Sequence, residues 1–358
     1  MEVIDIAQSG VAVQNASGPV LVSMNDKAFG FQAALDAKGI SAASKELAGL
    51  LGKSAQVDAA GQYLRKEEEV RLDLVRVTSA AAKLQASGEI VRDGPVRFEG
   101  NGEIGNVALV RPDLKGRVNF RFGAAKLSRD DDLVISGQAA GVNIRGEDPL
   151  GRALGAAPKL QFAGTAPKDG GFIIEQASLD GANLRAGAKG AMSRFDALNV
   201  DFEAVARGPY SFGSLDLTGE MEAFGKIAGT RNAPRLSLQA KALGANAGGV
   251  MLSDVVLEAD IPNVNKNLAG RATLSATARG ERIDAATNFA SHNSRIALTD
   301  LNAKWNGGAV TGALNVGGNA PVDGRLEAIG SIGPFIDGRG NVKASLRLSN
   351  QQGKQGLD

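Results

Sequence analysis

The chain has 358 residues, of which 47 are glycine and none is cysteine; aromatic residues make up 4%, and the formal net charge is +1. The lack of cysteine excludes a disulfide framework and a thiolate metal site. The near-neutral charge, without any block of lysine or arginine, lacks the electrostatic footprint of a nucleic-acid-binding protein. No apolar run is long enough for a transmembrane helix.

The main pattern is a short run of alternating apolar and polar residues, ended by glycine and repeated along the whole chain. A two-residue period places alternate side chains on opposite faces of a strand. Pairs of glycine with asparagine or aspartate, at 93–95, 169–171, 306–308 and 317–319, indicate tight hairpins. The predicted strands are 2–7, 19–24, 28–36, 70–78, 81–91, 95–99, 116–122, 132–138, 158–164, 171–180, 183–192, 197–206, 214–223, 235–242, 250–261, 271–279, 282–290, 294–304, 308–316, 324–328 and 341–348.

Two short helices interrupt the strands. Residues 44–52 carry leucines at helical spacing and stop at Gly52. Residues 148–155 carry an N-cap aspartate, a proline at the first helical position and a glycine stop. A weaker signal of the same kind lies at 329–336. The sequence therefore predicts two or three short amphipathic helices among the strands.

The two helices begin an internal repeat. Leu47, Leu51, Gly52, Val57 and Gly61 have counterparts 103 positions later. These counterparts are Leu150, Leu154, Gly155, Leu160 and Gly164. We therefore expect a leading β segment at 1–43, helix-headed repeats at 44–146 and 147–213, and a continuous hairpin array at 214–358. Because residue 2 already opens a strand and residues 351–358 end in polar residues, both ends are expected to be cuts in a longer polypeptide.

No motif predicts enzymatic chemistry or a cofactor. Residues 100–105 fit G-x-G-x-x-G, but a predicted strand at 107–110 follows where a nucleotide-binding fingerprint needs a helix, so a glycine-rich hairpin is expected. Residues 52–54 end a helix, whereas a phosphate-binding loop opens one. The acidic runs at 129–132 and 67–69 lack calcium-loop spacing and indicate solvated turns.

The rare residue types also favour a non-enzymatic protein. His292 is the only histidine. Because cysteine is also absent, the sequence has almost none of the residues that a zinc site or a nucleophile–histidine–aspartate triad requires. Trp305, the only tryptophan, is interpreted as an apolar plug at a sheet edge. No metal, cofactor or catalytic residue is predicted.

Residues 223–238 contain a strand, Gly-Thr, a polar turn, Ala-Pro and a second strand. Residues 298–312 contain L-x-D-L-x-A, Gly-Gly and V-x-G. These two patterns resemble the joint and the hairpin in the repeats of the TamB family of AsmA-like envelope proteins. The likeness extends loosely over most of the chain and is best from about residue 214.

The resemblance implies a long curled antiparallel meander, a β-taco or solenoid-like rod with an apolar groove. It also implies a periplasmic location, an inner-membrane anchor outside this chain and phospholipid movement towards the outer membrane. Help in outer-membrane protein assembly and secretion, with an Omp85-family barrel as partner, is implied as well. This sequence carries neither the N-terminal anchor nor the C-terminal region where that partner would bind.

The residues themselves leave two hypotheses of different classes open. In the first, alternate apolar side chains form a continuous groove for acyl chains; at about 4.8 Å per strand it would be about 100–120 Å long. In the second, a structural β-solenoid stalk or adhesin-like passenger fills its interior with its own side chains. An enzyme is a third class, which the scarcity of histidine, cysteine and clustered acids disfavours. The predicted groove residues are Leu236, Leu238, Leu257, Ile261, Leu274, Phe289, Ile296, Leu298, Leu314, Leu346 and Leu348.

Overall fold

The computed structural model describes residues 2–8, 10–212, 215–247, 249–266, 268–292, 295–317, 322–331, 335, 340–351 and 354–357. Strands account for 73% of the chain and helices for 5%. The predicted class, a mostly β protein built as an open antiparallel meander with short helices, is therefore confirmed. The chain divides into two compact units, Met1–Arg185 and Ala186–Asp358.

The first unit carries both helices. Its elements are β1 (Glu2–Gln8), β2 (Val11–Ser17), β3 (Val20–Met24), β4 (Ala28–Ala42), α1 (Lys45–Leu51), β5 (Ser54–Leu64), β6 (Glu69–Ser79), β7 (Ala82–Val91), β8 (Val96–Ile104), a 3-10 turn (Val107–Leu109), β9 (Lys115–Lys126), β10 (Leu133–Arg145), α2 (Pro149–Leu154), β11 (Lys159–Ala166) and β12 (Gly171–Asp180). From β4 to β12 each strand pairs antiparallel with the next along the chain. Before β4 in the chain, β2 and β3 both pair with the same edge of β4, and β1 pairs with β2.

The second unit is a meander of hairpins. Its elements are β13 (Leu184–Ser193, which starts at the last residues of the first unit), β14 (Ala197–Arg207), β15 (Tyr210–Phe212), β16 (Leu215–Thr230), β17 (Ala233–Ala247), β18 (Val250–Ile261), β19 (Ala269–Ala278), β20 (Glu281–His292), β21 (Arg295–Trp305), β22 (Gly308–Val316), β23 (Asp323–Ser331), β24 (Asn341–Gln351) and β25 (Lys354–Leu357). From β16 onward, consecutive strands pair antiparallel.

The two helices begin and end in the same way. The Ser44 hydroxyl accepts a hydrogen bond from the Leu47 amide at 3.1 Å, and the Asp148 carboxylate accepts one from the Gly151 amide at 2.8 Å. Each bond satisfies an amide that the first helical turn leaves free. Each helix then stops at a glycine with positive φ, 65° at Gly52 and 67° at Gly155.

The strands after these helices share a further irregularity. The β5–β6 register shifts between Ala60 and Gly61, and the β11–β12 register shifts between Ala163 and Gly164, which are the positions 103 residues later. A register shift of one residue marks a β-bulge, which bends and twists a strand locally. Helix, glycine stop and bulge thus recur together at the spacing read from the sequence. The four domain boundaries drawn from that repeat stay a prediction.

Several local predictions were wrong. Val11–Ser17 is a strand that the sequence did not indicate, and Ser54–Leu64 is a strand that only the repeat indicated, because alanine, serine and glutamine blur the alternation of both. Residues 107–110, expected as a strand, form a 3-10 turn at Val107–Leu109, capped by the Asn106 side chain. The glycines at 100 and 102, expected in a hairpin, lie inside β8. Of the third helical signal at 329–336, residues 329–331 are the end of β23 instead, and residues 332–334 and 336 lie outside the described residues.

Glycines inside strands make room for aromatic rings on the neighbouring strand. Gly100 pairs with Phe122 and Gly102 with Phe120, and each ring covers its glycine. Phe31 covers Gly61 and Phe202 covers Gly225 in the same way. A glycine in a strand interior is expected where another group approaches its backbone closely. The high glycine content therefore serves the packing of one sheet face as well as the turns.

The protein buries little of its surface. Its accessible surface is 21856 Å², whereas a compact protein of this mass would expose about 13,600 Å². Half of the buried hydrophobic residues are alanines. Small buried clusters replace one central core. One of them joins Leu154 of α2 to Val107, Leu114 and Ile144 in the first unit.

Two glycines flanking Phe122 allow a matched test of the ring-over-glycine packing. A Cβ at Gly100 would lie 2.6 Å from the Phe122 ring and 2.8 Å from the Gln85 carbonyl oxygen. A Cβ at Gly137, which pairs with Phe122 from the other side, would meet only the Arg121 carbonyl oxygen at 3.7 Å. We expect Gly100→Ala to lower the free energy of unfolding by about 1–3 kcal/mol.

The measurement is urea denaturation followed by circular dichroism, with Gly137→Ala as control. That control should change stability by less than about 0.5 kcal/mol or increase it slightly, because alanine restricts the unfolded chain. Equal losses for the two variants would contradict the ring-over-glycine account.

Candidate functional site

The strand registers place all of the predicted groove residues on one face of the second unit, here called the apolar face. Leu236 pairs with Ile261, and Leu257 pairs with Leu274. Directly opposed residues of antiparallel strands point to the same side of the sheet. The remaining residues of the face are connected in the same way. Leu238 pairs with Ala259; Gly270, Phe289, Leu298, Leu314, Gly324 and Leu348 pair in succession, as do Gly312, Leu326 and Leu346; Ile296 pairs with Val316.

Bulges keep the apolar residues on this face where simple alternation would move them off it. The β21–β22 register shifts between Leu298 and Leu301, and the β18–β19 register shifts between Ser253 and Val256. Asp300 and Asp254 lie inside these shifts with φ of 53° and 52°. Aspartate tolerates this left-handed conformation better than most residues. The bulges therefore let Leu298 and Leu301 both lie on the apolar face.

Most of the predicted groove side chains are neither buried nor fully exposed. Leu257 and Ile296 keep 37% and 40% of their accessible surface, whereas Ile261 keeps 8% and is buried. The others are half-buried. One layer of strands can bury an apolar side chain only against its lateral neighbours, so this face retains apolar surface in contact with solvent.

One edge of the apolar face is closed by a packed cluster. Trp305 is buried with Ala278 and Ile283, and its ring meets Phe335 edge to face with centroids 4.9 Å apart. The indole nitrogen donates a hydrogen bond to the Ser331 carbonyl oxygen at 2.6 Å. The interpretation of Trp305 as an apolar plug agrees with this environment. The cluster anchors the strand ends and leaves the half-buried leucines on the rest of the face.

The first unit has an apolar face of the same kind that the sequence-based groove list missed. Its longest row crosses eight strands. The row consists of Val57, Val77, Leu84, Gly102, Phe120, Ala139, Leu160 and Leu179. Leu160 keeps 45% of its surface and Phe122, on the next row, keeps 37%. The alternation of residues 116–122 could have indicated this face, but the set of predicted groove residues began only at Leu236.

The opposite face of the second unit is polar and carries ion pairs. The Arg235 guanidinium donates to both carboxylate oxygens of Asp260, with a distance of 3.0 Å from Nε to Oδ1. This hydrogen bond, with the charge attraction, lowers the pKa of Asp260. A hydrogen bond from Asn315 and then the Arg295 guanidinium lower the pKa of Asp323. Exposed pairs of this type contribute little to stability.

The acidic runs and the glycine-lysine-serine segment dismissed above have no chemical role in the described part of the structure. Residues 129–132 lie between β9 and β10, and residues 65–68 form the turn before β6. Placing Glu69 in that solvated turn was wrong, because Glu69 is the first residue of β6, is buried and forms an ion pair with Arg71. Gly52 ends α1. Within the described part of the chain, no group of three or more histidine, cysteine, aspartate or glutamate residues is placed to hold a metal ion. The side chain of His292 lies outside the described residues.

Comparison with known proteins yields no relative: no family model, curated protein or solved structure matches the chain. Among the residues that the structure describes, no helix is long and apolar enough to cross a membrane. The two faces of each unit thus carry the functional inference.

The Arg235–Asp260 pair gives a titration test of the polar face. Because the lowered pKa belongs to the folded state, the pair stabilises the fold above the pKa of an unfolded aspartate. Its contribution is lost as the pH falls through the folded-state pKa. We expect Arg235→Gln to raise the pKa of Asp260 towards its ordinary value, as measured by carboxyl-carbon NMR.

The control for this titration is Arg271→Gln. Arg271 pairs across the strands with Asp260 but does not contribute to its shift. If the titration midpoint of Asp260 is the same in Arg235→Gln as in the wild type, Arg235 is not the source of the shift.

Proposed function

We propose that the apolar face binds phospholipid acyl chains and carries them along the sheet, as part of a periplasmic protein of the TamB type. The observation that carries the proposal is the cross-strand register. It brings alternate leucines of successive hairpins onto one side of one layer of strands and leaves them half-buried.

The composition of this face suits a flexible apolar ligand. Between the leucines lie mainly alanine and glycine, such as Ala272, Ala303 and Gly312. Small residues leave space above the backbone for a chain of methylene groups. Moving one methylene group from water to a fully apolar environment is favourable by about 0.8 kcal/mol, and contact from one side recovers part of this.

The polarity of the opposite face supports one-sided binding. Rows of lysine, arginine, aspartate, glutamate and threonine side chains cover it, including the Arg235–Asp260 and Arg325–Glu327 pairs. Acyl chains gain nothing by contacting such a surface. Headgroups would stay in water beside the apolar face while the acyl chains contact it.

Movement along the face requires binding that changes little from one strand to the next. Apolar contact is non-directional and depends mainly on area. A Leu298–Leu314 contact and a Leu257–Leu274 contact therefore present similar surfaces to a methylene chain. The periplasmic location, the inner-membrane anchor, the Omp85-family partner and the link to outer-membrane protein assembly belong to the same proposal and rest on the sequence resemblance.

The test uses a charge placed on either side of one strand. Leu314 lies on the apolar face, and its neighbour Ala313 is exposed on the polar face. Leu314→Asp should reduce transfer of pyrene-labelled phosphatidylethanolamine between vesicles by at least about tenfold, because a carboxylate on the acyl path is costly to desolvate. Ala313→Asp should leave transfer unchanged.

A second readout separates binding from folding. A photoreactive benzophenone side chain at position 314 should crosslink to phospholipid, whereas the same group at position 313 should not. Circular dichroism must show that each variant keeps its strands. A wild-type protein that neither crosslinks to phospholipid nor transfers it, and whose leucines are packed by its own chain, would favour a structural stalk instead.

A further inference from the structure

The polar face of the first unit holds a depression of about 660 Å³ in the middle of the sheet. Two neighbouring cross-strand rows of the polar face line it, together with the row between them, whose side chains point to the other face: Ala86, Gly100, Phe122, Gly137 and Phe162. The amide row consists of Gln85, Asn101, Arg121, Gln138 and Gln161. The floor row consists of Ser87, Glu99, Gly123, Ser136, Ala163 and Gln176.

The depression follows from the sizes of these side chains. The floor row contains Ser87, Gly123, Ser136 and Ala163, which barely rise above the backbone. The amide row beside it rises well above them and forms a wall. Asp73, the extra residue at the β5–β6 bulge, lies at one end. The volume is within the usual range for a small-molecule site, about 300–1,000 Å³.

The polar groups of the wall remain available to a ligand. Arg121 donates two hydrogen bonds to the Gln138 amide oxygen, at 3.1 and 2.6 Å. Within the described part of the chain, the side chains of Gln85, Asn101, Gln161 and Gln176 have no hydrogen-bond partner. Each carboxamide offers two donor hydrogens and an acceptor oxygen. The wall therefore offers both donors and acceptors along its length.

We propose that this depression binds a linear, neutral glycan with β-1,4 linkages. Sugar hydroxyl groups both donate and accept hydrogen bonds, and carboxamides match both roles without a net charge. Two carboxylates, Asp73 and Glu99, stand against the single guanidinium of Arg121 in the lining, so an anionic ligand would gain no net attraction.

The geometry of the rows favours an extended polymer over a compact sugar. The amide row crosses from β7 to β11, with rungs about 4.8 Å apart. The rise per residue of an extended β-1,4-linked glycan is close to this spacing, so consecutive sugars meet consecutive rungs. An α-1,4-linked glucan curves into a helix and loses this match after one or two residues.

The experiment titrates the full chain with cellohexaose, chitohexaose and maltohexaose, observed by NMR chemical shifts. The β-linked probes should bind at a site that includes Asn101 and Gln161, and maltohexaose should bind more weakly. Asn101→Leu and Gln161→Met should each weaken binding by about threefold to tenfold. Gln56→Met is the matched control, because Gln56 is an exposed amide on the same face outside the depression.

A second variant covers the case in which loss of an amide perturbs the sheet. Ser136→Leu fills the floor without removing an amide and should also weaken binding. Absence of binding by every probe at millimolar concentration would overturn the proposal, as would equal binding of maltohexaose. The proposal would also be overturned if glycan binding were unchanged in the depression variants and weakened in Gln56→Met. Because the depression lies in the first unit, on the side opposite that unit's own apolar row, and the proposed lipid surface belongs to the second unit, lipid transfer should be unchanged in these variants.

Discussion

The structure depends on cross-strand register within a single layer of antiparallel strands. A one-residue slip would exchange the faces of an entire strand and place Leu298 or Leu314 among charged side chains. Among the described residues, no second layer packs over most of the apolar face of the second unit, as the half-buried state of its leucines indicates. Hairpin turns and bulges therefore hold the register that a dense core would hold in a globular domain. Asp254 and Asp300 take part directly, because their left-handed conformation occurs at register shifts.

The fold could be predicted from the sequence to the extent that alternation is visible. The runs at 271–279 and 308–316 have clear apolar and polar positions, and both are strands at nearly those bounds. Ser54–Leu64 was missed because alanine and glutamine obscure its period, although the repeat required a strand there. The segment at 107–110 looked like a strand because it is apolar. It turns instead, where Val107 and Leu114 pack against Leu154 of a distant helix.

The candidate site was predictable only in part, for a physical reason. Alternation identifies which residues of one strand share a face, and the chosen leucines do share one across strands. It cannot show how far each side chain is covered, and Ile261 is buried although Leu257, four residues earlier on the same face, is exposed. It also cannot show that Gln85, Asn101 and Gln161, which lie on β7, β8 and β11, belong to one cross-strand row. Such alignment depends on pairing between residues far apart in sequence.

The sequential pairing of the strands has a consequence for how such a protein can change in length. From β17 onward, within the described residues, each strand pairs only with its predecessor and its successor in the chain. Insertion of one hairpin adds two strands, restores the direction of the chain and keeps every later side chain on its original face. Reach can therefore vary in steps of about 10 Å while the chemistry of both surfaces is preserved. Insertion of a lone strand would reverse the direction of everything downstream, so hairpins are the natural unit by which this architecture is lengthened or shortened.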